Sequence, residues 1–302
     1  MPGPIGLIGT VTSDVITYES GERYEGIGGI LYQAAVLCAL GKPVLLFSHL
    51  GRELKPDVDS ITATWESFDR RGVQLVPGPG NRVFLHYPLQ GERVEILKSV
   101  VPPIQKSQIL PHISSLGFLV MVLNSGFDIG LEDWRAAVRF THCPVWLDIH
   151  SLILSKKLDK PRHYVSFVEW REWAAGVEYL QANRAEVASL LGFPDENPEE
   201  EDLKRFGRQA IEAGVRTVFV TLGEEGILVF TPEGSEIISP SEQGHIVDTT
   251  GCGDVFCGGA VAKLAEGKDP YQAAQFAVDL ATQAASVVGI PATYRSIQQK
   301  SP

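Results

Sequence analysis

No part of this chain is dense in Lys or Arg: 26 basic residues stand against 37 acidic ones, giving a formal net charge of -11 and a pI near 5.1. That balance lacks the electrostatic footprint that nucleic acid or an anionic membrane requires, and a small-molecule ligand is the expectation instead. Long apolar runs are missing too. The longest, such as 116–123, are strand-sized, and the N-terminus has neither the basic start nor the apolar region of a signal peptide. A cytoplasmic protein is expected. The four cysteines, Cys38, Cys143, Cys252 and Cys257, are too few and too scattered for a disulfide framework. Cys252 and Cys257 are also spaced outside a zinc half-site, with no HExxH or histidine cluster beside them, so small reduced thiols are expected. GxGxxG is absent after the first apolar run, since Gly6-Leu7-Ile8-Gly9-Thr10-Val11 does not supply it, which excludes a dinucleotide-binding oxidoreductase. Neither Gly41-Lys42-Pro43 nor Gly267-Lys268-Asp269 completes GxxxxGK[ST], which excludes a P-loop phosphotransferase. Repeats of solenoid length and low-complexity linkers are lacking as well.

What is present is enough for a full core: 302 residues, 44% of them hydrophobic. From about Asp57 onward, strand-like runs alternate with amphipathic helical segments, the signature of an α/β domain with a mainly parallel sheet. The strand candidates are 44–48, 73–76, 116–123, 145–149, 177–182 and 216–221. Ile61, Trp65 and Phe68 share one face of a helix predicted over 58–71, and Leu203, Phe206, Ala210 and Ile211 do so over 202–213. Gly72 and Gly214 are the expected stops. Segments 15–25 and 82–97 break the rhythm and read as hairpins around Ser20-Gly21 and Gln90-Gly91, with Val83, Leu85, Tyr87 and then Val94, Ile96 alternating. Paired with each other, they would form a small sheet over the substrate, a lid inserted in a single domain spanning 1–302; an edge extension of the main sheet has the same pattern.

The chemistry is written most densely in Asp248-Thr249-Thr250-Gly251-Cys252-Gly253-Asp254-Val255-Phe256. Val255, Phe256, Ala260, Val261 and Leu264 recur at helical spacing, which puts Asp254 in the first turn. Gly251 and Gly253 permit a tight turn that exposes backbone N–H groups, and with the helix dipole behind them these make an anion site. A carboxylate inside an anion site needs a task. Asp254 suits acceptance of the proton from an attacking hydroxyl, although taken alone it also fits an N-terminal cap.

The same nine residues resemble the second signature of the ribokinase (phosphofructokinase-B) family of carbohydrate kinases, Asp-Thr-x-Gly-Ala-Gly-Asp-x-Phe, with Cys252 where the family usually has alanine. Four further stretches agree in the family's order. Residues 5–14, ending Thr12-Ser13-Asp14, look like its first strand, where an aspartate meets sugar hydroxyls. Gly28-Gly29-Ile30-Leu31-Tyr32-Gln33-Ala34-Ala35 is similar to its first signature, with Gln33 where asparagine is common. Asn183-Arg184-Ala185-Glu186 matches its Asn-x-x-Glu, and Val220-Thr221-Leu222-Gly223-Glu224-Glu225-Gly226 resembles its nucleotide-side strand and turn.

The resemblance implies a ribokinase-like three-layer sandwich with a mainly parallel central sheet and a small β-strand lid. It further implies an ATP-dependent kinase acting on a hydroxyl of a small sugar-like acceptor; a nucleoside or inositol-type polyol kinase, or a non-catalytic sensor, are the alternatives. Asp254 would be the base, with Gly251, Cys252 and Gly253 as the anion hole. Asp14, Gly28, Gly29 and Gln33 would bind the acceptor, and Asn183, Glu186, Thr221, Gly223 and Gly226 the nucleotide. Glu186 would organise Mg²⁺ through water. The family often binds a monovalent cation such as K⁺ beside the anion loop, and Asp248 and Thr250 fit that position, while Asp248 fits a loop-stabilising role equally. His150 and His245 are within reach of a ligand but read as ordinary structure. Exposed lid edges suit pairing into a homodimer.

Overall fold

The computed structural model describes residues 3–89, 93–242, 244 and 246–300. The turn predicted at Gln90-Gly91 and His245 lie outside the described residues. The strands are β1 (Ile5–Ile8), β2 (Val11–Tyr18), β3 (Arg23–Gly29), β4 (Val44–Gly51), β5 (Phe68–Val76), β6 (Asn81–Tyr87), β7 (Val94–Ser99), β8 (Phe118–Val122), β9 (Val145–Asp148), β10 (Tyr179–Asn183), β11 (Thr217–Thr221), β12 (Ile227–Thr231) and β13 (Gly234–Ile238). The helices are α1 (Leu31–Ala39), α2 (Lys55–Thr62), α3 (Lys106–Ile109), α4 (Leu131–Phe140), α5 (Trp170–Ala174), α6 (Arg184–Leu191), α7 (Glu200–Glu212), α8 (Cys252–Leu264), α9 (Pro270–Ala284) and α10 (Ile290–Lys300).

Strands such as β1 (IGLI) and β8 (FLVMV) are apolar and buried along their whole length, as strands covered on both faces must be. They belong to a nine-stranded sheet, β13-β12-β11-β10-β9-β8-β1-β4-β5, parallel except where β12 pairs antiparallel with β11 and β13. Side chains alternate across it into two cores. Leu7 and Leu46 join α1, α8, α9 and α10 on one face, and Ile8 and Phe47 join residues of α4 to α7 on the other. The result is a three-layer sandwich.

The two predicted hairpins form a second sheet, β3-β2-β6-β7, in which β2 runs parallel to β6 and the outer pairs are antiparallel. Ile16, Val83, Leu85 and Leu97 give it a small core of its own. It is a separate sheet and not an edge extension.

Three expectations need correction. The helix predicted over 58–71 ends at Thr62, and 68–76 is β5. Ile61, Trp65 and Phe68 do share the first core, but as a helix end, a turn and a strand start, with Trp65 edge-on to Phe68 at 5.2 Å. Gly72 therefore stops no helix: it pairs with Phe47 inside the sheet, whereas Gly214 does sit at positive φ just past α7. The single strand seen in 5–14 is two, β1 in the main sheet and β2 in the lid, and β12 and β13 were not anticipated.

Candidate active site

The carboxyl ends of β8, β9, β10 and β11 stop at one level, and Asn124, Asp148, His150, Asn183 and Thr221 project there into a cavity of about 920 Å³. Such a crevice is where open parallel sheets take ligands. The lid supplies the opposite wall through Thr12, Asp14, Val83, Leu85, Tyr87, Arg93 and Glu95. Where the lid meets the loop before α8, the Tyr87 hydroxyl lies 2.8 Å from Thr250 Oγ1, and Tyr87 stacks on Tyr18 at 5.4 Å.

Helix α8 carries Asp254 in its first turn, and Thr249, Thr250, Gly251, Gly253 and Asp254 line the cavity. Gly251 holds φ 79°, and a Cβ there would lie 2.8 Å from the Tyr32 ring, so the turn needs glycine on both counts. The helix is drawn close to its neighbours because Gly258 faces Val36 of α1 and Gly259 faces Ala277 of α9. N–H groups of a first helical turn lack intrahelical partners and point at whatever occupies this space. Cys252 departs from its expected role: its N–H goes to the Thr249 carbonyl at 3.2 Å, and it does not line the cavity. Its thiol, pushed up to about 12 by burial and then by Asp248 and Asp254, has no thiolate character at neutral pH.

Asp254 is held from behind. Gln33 of α1, fully buried, donates its amide to Asp254 Oδ1. Sequence reading put Gln33 against the acceptor, but it does not line the cavity and reaches the site only through this carboxylate. Burial pushes Asp254 up to about 6, against the lowering effects of His150, Gln33 and Arg93.

Asp14, on β2, is pushed up to about 7, first by burial and then by the charges of Glu95 and Asp254, with Thr12 and Arg93 pulling the other way. Gly28, on the neighbouring strand β3, makes room for it, since a Cβ at 28 would collide with the Asp14 carboxylate. Gly29 lines the cavity and Gly28 does not.

Asn183 and Glu186 form a capping box at the start of α6. Asn183 Oδ1 accepts from Glu186 N, and Glu186 Oε2 accepts from Asn183 N, both at 2.8 Å. Glu186 Oε1 also accepts from Asn183 Nδ2 at 2.8 Å and lies 3.0 Å from His150 Nδ1. With three of about four lone-pair positions engaged, this carboxylate suits a hydrated Mg²⁺ held through water better than direct ligation. Burial lowers the His150 pKa, but the Glu186 bond and the charges of Glu186 and Asp148 carry it up to about 9. Asp148 is raised well above the ordinary carboxylate range by burial, then by Glu186 and Asp254.

The remaining expected residues are spread around this centre. Thr221 lines the cavity, whereas Gly223 and Gly226 shape the turn after β11, where Gly226 N donates to Gly223 O at 3.2 Å. Asp248 is buried behind the loop, with Oδ1 accepting from Thr250 N at 2.9 Å. Asp148, Arg93, Glu95 and Arg162 were not singled out in the sequence. Asp148 had a signal, a carboxylate at the end of a strand candidate; the other three belong to no motif. Arg162, with its side chain fully buried, pairs with Glu95 at 2.8 Å. Breaking such a buried pair from one side costs about 3–5 kcal/mol, while its net contribution to stability is small.

Residues 158–294 match the family described as pfkB family carbohydrate kinase. Bifunctional protein HldE of Nitratiruptor sp. is 33% identical over 52% of this chain but only 30% of its own length. Other relatives match over most of both chains. Cytidine kinase of Thermococcus kodakarensis is 25% identical over 87% of this chain and 88% of its own. Deoxyribokinase of Salmonella typhi is 28% identical over 98% and 96%. Among solved structures, Arabidopsis thaliana ribokinase complexed with ribose and ATP superposes with TM-score 0.77 at 19% identity, covering 99% and 98% of the two chains. A pyrophosphate-dependent kinase of the ribokinase family, complexed with a pyrophosphate analog and myo-inositol, gives 0.80 at 15% identity over 98% and 99%. The three-layer sandwich with its lid is thus a ribokinase-like fold.

Proposed function

We propose that this chain, whose residues 158–294 match the pfkB family of carbohydrate kinases, moves the terminal phosphoryl group of ATP onto a hydroxyl of a small sugar-like acceptor. The observation that carries this reading is Asp254 in the first turn of α8, beside Gly251 and Gly253 and under the lid. The acceptor hydroxyl gives its proton to the Asp254 carboxylate as its oxygen bonds to the terminal phosphorus, and the bond from that phosphorus to the departing ADP oxygen breaks. Backbone N–H groups of the α8 first turn face the charge on the transferred group, and the preceding glycines let it approach. Mg²⁺, when bound, neutralises the donor's phosphate oxygens, and Glu186 is the residue that would hold its water shell. Asn183 fixes Glu186, and Gln33 fixes Asp254. Asp14 and Gly29 meet the acceptor, while Thr221 and the Gly223–Gly226 turn lie toward the nucleotide. A nucleoside acceptor is the second reading, favoured by the near full-length likeness to a cytidine kinase.

Asp254→Asn tests the base. The amide keeps the size of the carboxylate but takes no proton, so kcat and kcat/KM should fall together by about 10²- to 10⁴-fold with donor affinity retained. Because the base acts deprotonated, wild-type kcat/KM should also decline as pH falls below about 6. Near-normal turnover in a folded Asp254→Asn protein would leave this residue a structural role only.

A further inference from the structure

Glu95 sits on lid strand β7, is 7% exposed and lines the cavity, yet belongs to no motif. Its carboxylate is fixed with unusual thoroughness. Arg162 Nη1 donates to Glu95 Oε1 at 2.8 Å, and Arg93 Nη2 stands 3.4 Å from Oε2. The rest of the Arg162 guanidinium is fully spoken for: Nε donates to Ser155 O, and Nη2 to Ser125 O and Ser151 O, all at 3.1 Å. Nη1 also lies 3.5 Å from Ser151 Oγ. A guanidinium has five N–H donors, so Arg162 keeps none for a ligand. The strand is tied down as well, since Arg162 N donates to Glu95 O at 2.8 Å, Asp159 N to Leu97 O at 3.0 Å, and Ile96 bridges to Pro161.

We infer that Glu95 is a specificity-determining residue that accepts hydrogen bonds from acceptor hydroxyls, with Arg162 as the positioning residue that aims it; this rests on the kinase reading above. Three carboxyl groups surround one space. Asp254 comes from α8, Asp14 from β2 and Glu95 from β7, and the charges of both others reach Asp14. If Asp254 takes the reacting hydroxyl, Asp14 and Glu95 are left as acceptors on either side, and hydroxyl donors are what two carboxyl groups bind. A carboxylate accepts about four hydrogen bonds, and the two arginines use part of that capacity on Glu95. The acceptor class selected is therefore a neutral polyhydroxyl compound with at least two hydroxyls besides the one phosphorylated. An acidic group between Asp14 and Glu95 would add negative charge beside the Glu95 carboxylate, a repulsion that a neutral hydroxyl does not meet.

The test begins by finding the best acceptor among neutral sugars, polyols and nucleosides and their acidic counterparts, read by ADP release. With that acceptor, Glu95→Gln should raise acceptor KM about 10- to 100-fold, the loss of one charge-assisted hydrogen bond, and leave donor KM and kcat near wild type. Monodeoxy analogues supply the decisive arm. The deoxy position that penalises the wild type by a similar factor should cost Glu95→Gln nothing further, because the partner is already gone. Arg162→Lys should raise acceptor KM in the same direction with kcat retained, whereas a merely structural role would lower the active fraction and leave KM alone. If Glu95→Gln fails to fold, Glu95→Asp, which keeps the charge but withdraws the carboxylate by one methylene, takes its place in both arms. An unchanged acceptor KM in the folded variant overturns the inference, as do equal deoxy penalties in variant and wild type, or preference for an acidic acceptor over its neutral counterpart. Those outcomes leave the kinase reading standing; no turnover of any acceptor would remove both.

Discussion

Asp14 is a carboxyl placed where a carboxylate is unwelcome. Burial lifts it from 3.8 to about 7, which corresponds to a penalty on the order of a few kcal/mol for holding it ionised in the folded state. Because the folded state binds this proton more tightly than the unfolded state does, the stabilising contribution is full below about 3.8 and is lost as pH rises through about 7. Asparagine removes the ionisation and keeps the size. Asp14→Asn should therefore raise the thermal midpoint at pH 8 by roughly 2–6 °C, give no gain at pH 4, and weaken acceptor binding. Calorimetry at the two pH values checks this, and a lower midpoint at pH 8 would show that Asp14 is held as a favourable ion.

The lid and the loop before α8 are the elements whose behaviour follows from their attachments. Strand β7 is bonded to the 159–162 segment and clasped by Arg162, whereas the 15–25 end of β2 and β3 is held within the lid by the Tyr18–Tyr87 stack, and Tyr87 in turn meets Thr250. Amides of 15–25 should thus exchange faster than those of the main sheet and gain protection when the acceptor binds, while 94–97 stay slow throughout. Full protection of 15–25 in the free protein would mean a fixed wall in place of a moving lid. In the loop, Asp248 Oδ1 accepts from Thr250 N and the carboxylate also bonds the Tyr18 hydroxyl, and a monovalent cation beside the loop would share that carboxylate. Potassium should then raise turnover above that in a bulky organic cation at equal ionic strength. Equal rates would leave Asp248 as a loop brace.

At the scale of the whole molecule, the lid sheet ends in β3 on one side and in β7, bridged to 161, on the other. The outer edge of β3 is the one suited to pairing with a second copy, and we propose a homodimer formed there. Sedimentation across concentration should show a reversible dimer, and a single monomeric species at all concentrations would refute it. How much of this architecture the sequence declares depends on how local each feature is. The turn and helix start around Asp254 lie within nine consecutive residues, and Asn183 with Glu186 within one helical turn, so glycine conformation and capping chemistry announce them directly. Period-two alternation likewise announced both lid hairpins, and continuous apolar runs announced the parallel strands. The apolar residues of 58–71, in contrast, satisfy a helix period and yet finish in a strand, because pairing of β5 with β4 outweighs local spacing. Gln33 lies 221 residues from the Asp254 it braces, and Glu95 lies 67 from the Arg162 that aims it. The sequence alone determined the glycine turn and helix start that carry Asp254 and the capping box of Asn183 and Glu186, since such backbone geometry is encoded in contiguous residues. Only the tertiary structure decided which side chains brace Asp254 and which line the cavity, because such partnerships depend on strand register and helix packing across the entire chain.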